Sequence, residues 1–171
     1  MPVTSYLDIS ETGLVAGQFY KSIVNGAKLT GYNTGNTVLP AGFGACWAGT
    51  ADKAVIVPSA DTHTRFAGVL TIPTVEVRAG YSLDGAGRFG YPAKYEVALA
   101  ITDCYAVFVD ATVEVGQPVH LNIAESTSVP GTFRGVANST DSIAIPNARF
   151  LSAAVGTPSD LALAVINLSA Q

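Results

Sequence analysis

Apolar and polar positions change over at short intervals along this chain, and the clearest pattern lies in residues 94–123. Residues 94–101 and 104–109 are apolar runs rich in Val, Tyr and Phe, separated only by Thr102 and Asp103. That spacing predicts two strands joined by a tight hairpin. Val119, Leu121 and Ile123 then alternate with His120 and Asn122, the pattern of a half-buried strand with one wet face. Between them, Gly116 supplies turn geometry and Pro118 cannot donate to a ladder.

The same reading extends over the rest of the chain. Residues 18–24 predict a first strand, and Asn25 with Gly26 is a strong hairpin signal toward a partner at 27–32. Residues 44–48, 54–57 and 66–72 predict three more strands, and 75–77 a short alternating piece. Residues 80–92 are dense in Gly and Tyr and predict an irregular loop, of a length usually found to be functional or packed on a partner. Residues 161–168 are apolar on both faces, as an interior strand would be, and 148–152 predict another. No stretch carries a capped stripe at helical spacing. The expected fold is therefore all-β, a β-barrel or jelly-roll-like sandwich of short antiparallel strands over residues 18–171. Residues 1–17, with Tyr6, Leu7 and Ile9 but no steady period, predict an N-terminal arm that docks on this domain or a neighbour.

Composition narrows the function. Charged residues make up 13% of the 171, against about 25% in an average globular chain. Part of the surface is therefore expected to face protein, since charges are depleted from interface cores. The net charge is −4 and no three cations stand together, which argues against direct nucleic-acid binding. No apolar run approaches the roughly 20 residues of a membrane span, and the first residues lack the basic and apolar regions of a secretory signal. Cys46 and Cys104 lie in apolar sequence, which favours buried free thiols while leaving a disulfide open.

Candidate chemistry is thin. Gly85, Gly87 and Gly90 match the dinucleotide fingerprint literally, but Tyr91 and Pro92 follow where a helix is required, so a Gly-rich turn is expected and no cofactor. Cys46 or Cys104 with His63 or His120 would be needed for nucleophilic catalysis, and no spacing brings them together. Two His and two Cys at scattered positions show no metal-ligand spacing. Asp103, Asp110, Glu114 and Glu125 read as solvated or turn-capping carboxylates. Trp47, Tyr81, Tyr91 and Tyr95 could stack on a sugar or pack at an interface, which keeps a carbohydrate-binding or tail-associated β module as the alternative.

Several segments carry a resemblance. These are residues 65–69 (an aromatic followed by Gly-Val after a polar loop), 105–109 with 115–121 (a strand, a Val-x-x-Gly turn and a second strand), 131–133, 145–151 and 161–165. Over residues 45–171 the chain resembles the bacteriophage capsid cement, or decoration, protein family. It departs from that family in the 80–92 insert and the first 40 residues. The resemblance implies a non-enzymatic virion protein, present in the host cytoplasm during assembly. It would bind the outside of an icosahedral head as a homo-dimer or homo-trimer, bridge major capsid protein subunits and resist the pressure of packaged DNA. Tyr6, Leu7, Tyr81, Phe89 and Tyr91 are the expected interface anchors, because large aromatics dominate interface energetics.

Overall fold

The structure is a computed structural model, described at residues 16–17, 19–21, 28–48, 54–56, 65–72, 82–124 and 128–168. Sixteen strands are described: β1 (Phe19–Lys21), β2 (Lys28–Asn33), β3 (Leu39–Pro40), β4 (Gly44–Trp47), β5 (Ala54–Ile56), β6 (Phe66–Leu70), β7 (Ser82–Leu83), β8 (Phe89–Tyr91), β9 (Glu96–Ala100), β10 (Asp103–Val109), β11 (Thr112–Val113), β12 (Pro118–Asn122), β13 (Phe133–Arg134), β14 (Ser142–Phe150), β15 (Ala154–Val155) and β16 (Ala162–Leu168). The helical element among the described residues is a single 3-10 turn, Ser139–Asp141. The fold is all-β, as the short-period alternation predicts.

Two curled sheets carry the structure. The first is a closed barrel in the order β2-β5-β4-β6-β9, antiparallel except for β2 beside β5. In the second, β10 pairs with β16 along seven residues, from Asp103 opposite Leu168 to Val109 opposite Ala162. The other edge of β10 is shared by β1 and by a parallel bridge from Val109 to Phe133. Strands β13, β12, β14 and β16 then follow in order, so the pairing runs full circle. Tyr105, Val107, Leu121, Phe133, Phe150 and Ile166 fill this second sheet, while Leu39, Phe43, Leu70, Val97 and Leu99 form the core of the first.

The two sheets interlock at β4. A Cβ added to Gly44 would lie 2.4 Å from Leu121 Cδ1 and 2.9 Å from Phe133 Cζ, so only glycine admits this approach. Gly44 N also donates to Gly131 O at 2.7 Å, and Phe108 N to Gly42 O at 3.1 Å. Backbone bonds therefore run across the seam as well as side-chain contacts.

Three local expectations are corrected. Strands β9 and β10 follow each other in sequence but part company at residues 101–103: β9 joins the barrel and β10 the second sheet. Their hairpin loses because β10 is buried on both faces, and its seven-residue register with β16 satisfies more of its backbone than a five-residue neighbour could. Likewise β1 and β2 pair into different sheets, and the Asn25-Gly26 turn lies outside the described residues. Asn122 does not face water on β12; it is fully buried.

Of the expected arm, Ala16 and Gly17 are described and the rest lies outside the described residues, as does the 75–77 piece. Gly17 adopts a φ of 71°, donates to Ala106 O at 2.8 Å and accepts from Ile72 N at 3.2 Å. Gly17 is thus pinned at the seam, between β10 and the residues after β6.

Candidate functional site

The Gly/Tyr-rich insert is not irregular. Strands β7 and β8 form a hairpin, with Leu83 opposite Phe89, and β8 pairs in turn with β3. The glycine fingerprint is the tip of this hairpin. Gly87 takes a φ of 76° there, and nothing lies within 4 Å of a Cβ placed on Gly85 or Gly87. Asp84 organises the tip: its carboxylate accepts from Ala86 N at 2.9 Å, Arg88 N at 2.8 Å and Arg88 Nε at 2.6 Å. Asp84 is therefore a turn carboxylate rather than part of a phosphate cradle.

Arg88 fastens the hairpin to the body. Its guanidinium lies 4.8 Å from the Phe43 ring centroid and 5.9 Å from that of Phe108, which themselves meet edge to face at 5.5 Å. Phe43 comes from the β3–β4 link and Phe108 from β10, so the clamp sits over the seam between the sheets. Burial pushes the Asp84 carboxyl up, but the bonds from Arg88, then Ala86, outweigh it and hold its pKa below the ordinary 3.8. The contribution of Asp84 is accordingly complete above pH 3.8 and is lost as pH falls through the lower folded value. We expect Arg88→Ala to loosen the hairpin by about 1–2 kcal/mol. Amide exchange at Gly87, which donates to Asp84 O, should then quicken about tenfold at neutral pH; unchanged protection would contradict the clamp.

With its base held, the hairpin turns apolar side chains outward. Phe89 is 65% exposed and Leu83 56%. Tyr91 differs from the expectation for it: at 1% exposed it packs in the first core, because β8 runs from the tip, where Phe89 pairs with the exposed Leu83, onto β3, where Tyr91 stands opposite the buried Leu39. Its ring is thus not on the surface for a partner. Tyr6, Leu7 and Tyr81 lie outside the described residues. Trp47 is half-buried against the first core, leaving Tyr95 as the exposed member of the possible sugar-stacking set among the described residues.

The remaining chemical candidates among the described residues are structural, while His63 and Glu125 lie outside them. Cys46 and Cys104 are buried thiols outside any disulfide, and burial pushes the Cys46 thiol up to about 12, far from a nucleophile's range. His120 stands opposite Arg134, and burial, then the Arg134 charge, lowers its pKa. No group of three His, Cys, Asp or Glu is placed to hold a metal among the described residues. Asp110 is not solvated: it is 2% exposed and accepts from Asn122 Nδ2 and Val129 N.

A second exposed apolar group was not legible in the sequence. Val115, Val136, Leu151 and Val155 stand out at 66%, 68%, 39% and 77% exposure, on segments far apart in the chain. Each is a lone aliphatic residue beside a turn, a pattern too common on surfaces to be a signal.

The profile of a phage family described as structural cement protein (E217 gp24/Pam3 gp6) matches residues 4–168. This chain belongs to the phage structural cement protein family. The match includes residues 4–40 and the hairpin insert, where the motif resemblance stopped. A chain in a solved structure entitled "The capsid of Myoviridae Phage XM1" has a similar fold, with a TM-score of 0.65 and 13% identity over 91% of this chain and 90% of that one. No curated protein matches the sequence. Membership gives this cement protein a structural role in the phage capsid, in association with capsid proteins of the virion.

Proposed function

We propose that this cement protein binds the outer surface of an icosahedral phage head, bridges major capsid protein subunits and stabilises the shell against the pressure of packaged DNA. The observation that carries the reading is the β7–β8 hairpin: a clamped, rigid projection that turns Phe89 and Leu83 outward. An aromatic held in place before contact loses little conformational freedom on binding, so it is suited to anchor an interface. Tyr6, Leu7 and Tyr81 are proposed to add contacts from the arm and the start of the insert. Assembly as a homo-dimer or homo-trimer would let several modest contacts act together, which raises avidity without one tight site.

The test is Phe89→Asp. Phe89 is largely exposed, so stability should stay within about 0.5 kcal/mol of the parent. Occupancy on heads assembled without the protein, measured by co-sedimentation, should fall by about thirtyfold in apparent affinity, as for an interface hot spot. Undiminished occupancy with intact stability would remove the hairpin from the contact.

A further inference from the structure

We infer that the face assembled around Gln117 is a second docking surface, whose partner is a carboxylate-bearing protein surface of the capsid; this rests on the cement reading above. Three segments distant in sequence meet at Gln117. Its side-chain oxygen accepts from Glu114 N at 3.0 Å, its carbonyl accepts from Phe150 N at 3.0 Å, and Gly116 N donates to Phe150 O at 2.8 Å. Gly135 lies so close that an added Cβ would come within 1.9 Å of Gln117 Oε1. The segments around residues 115, 135 and 150 are therefore held edge to edge.

What these segments present is apolar and cationic together. Val115, Val136 and Leu151 are exposed on the three segments, and Val155 is exposed on β15, opposite Thr112 of β11, the strand that precedes Val115. Arg134 immediately precedes Gly135, and the exposed Arg149 stands opposite Pro118, the residue after Gln117. Strand β12 lies between the two arginines, with His120 directly opposite Arg134. Neither arginine forms an ion pair among the described residues, where the one salt bridge is Arg88 to Asp84. Glu114 is the single carboxylate in these segments, so the face is net positive on a chain of net charge −4.

Exposed aliphatics bordered by arginine match the make-up of protein interfaces, in which arginine is enriched and lysine depleted. The charge decides the occupant. A two-fold contact of this face with itself would bring net-positive surfaces together, and like-charge juxtaposition across an interface is costly. A heterologous acidic surface neutralises both arginines while covering the valines. Since the hairpin and the Gln117 face are built on different sheets, a cement protein using both has two separate contact surfaces, which bridging requires.

The experiment compares the full-length parent, Phe89→Asp and the double variant Arg134→Glu/Arg149→Glu on heads assembled without the protein, with Arg134→Gln/Arg149→Gln as a milder pair. Unfolding midpoints screen each variant for folding, and sedimentation velocity reads self-association. The parent is expected to bind less tightly as salt rises from about 0.05 to 0.5 M, as screening of exposed charges dictates. Charge reversal should weaken head binding at least about tenfold at low salt and flatten that dependence, with the Gln pair intermediate and self-association unchanged. Parent binding with reversal variants that bind equally well and with the same salt response would overturn this inference alone. Loss of self-association in the reversal variant would also overturn it, by making a second copy the occupant. A parent that does not bind heads at all would instead overturn the cement reading on which it rests.

Discussion

Phe133→Ala is expected to be among the most damaging single substitutions in this protein, costing about 3–5 kcal/mol. Phe133 is fully buried, and its ring meets Phe66 of the barrel edge to face at 6.5 Å. Its backbone bridges β10 and pairs with β12, and its ring tip is what a Cβ on Gly44 would strike. Truncation therefore removes apolar burial and leaves a cavity at the point where the two sheets interlock. For a chain of this length each kcal/mol shifts the melting temperature by about 2–4 °C, so a fall of roughly 6–20 °C is expected by calorimetry. Because the ring belongs to both sheets, we propose that residues 18–171 unfold as one unit, and both parent and variant should show one transition. Two resolved transitions, or a fall under about 3 °C, would show that the seam carries little of the stability.

Much of this arrangement was visible in the sequence because it rests on local pattern. The two-faced apolar run of 161–168 became β16, buried between β10 and β14. Strands β4, β5 and β6 lie within a residue or two of their expected ends, since turn residues bound them on both sides. What the pattern could not convey was partnership. Residues 94–109 look like a hairpin because two apolar runs flank two turn residues. The choice of β16 as partner for β10 depends on a segment some 60 residues away, whose register no local rule encodes. The insert shows the converse failure. Its glycines hid a short hairpin, because the tip is ordered by the Asp84 side chain and by Arg88 reaching to Phe43. Tyr91 and Phe89 are both aromatics of that insert and, two residues apart on β8, share one face, yet Phe89 stands beside the exposed Leu83 near the tip and Tyr91 beside the buried Leu39. Sequence offers the residue type; only the placement of β8 against β3 decides which of the two can meet a partner.

Asp110→Asn, nearly isosteric, is expected to cost about 2–4 kcal/mol, close to the cost of Asp110→Ala. Asn122 Nδ2 lies 2.9 and 3.0 Å from the two Asp110 oxygens, and Val129 N donates to Oδ2 at 2.9 Å. An amide at position 110 must aim its own N–H groups at one of these donors, in a site where water does not compete. Turning Asn122 over would restore one contact, but Thr132 Oγ1, which accepts from Nδ2 at 2.9 Å, already gives its proton to Val129 O at 2.6 Å. The network therefore accepts a carboxylate and has no second arrangement of equal quality. Its position explains why such a group is buried here: it holds residues 128–133, whose Gly131 O receives the bond from Gly44 N across the seam. In a double-mutant cycle with Asn122→Ala, followed by urea unfolding, the coupling between the two positions should be about 1–3 kcal/mol. Additive losses, or an Asp110→Asn variant as stable as the parent, would mean that the carboxylate is replaceable and that the seam does not depend on this network.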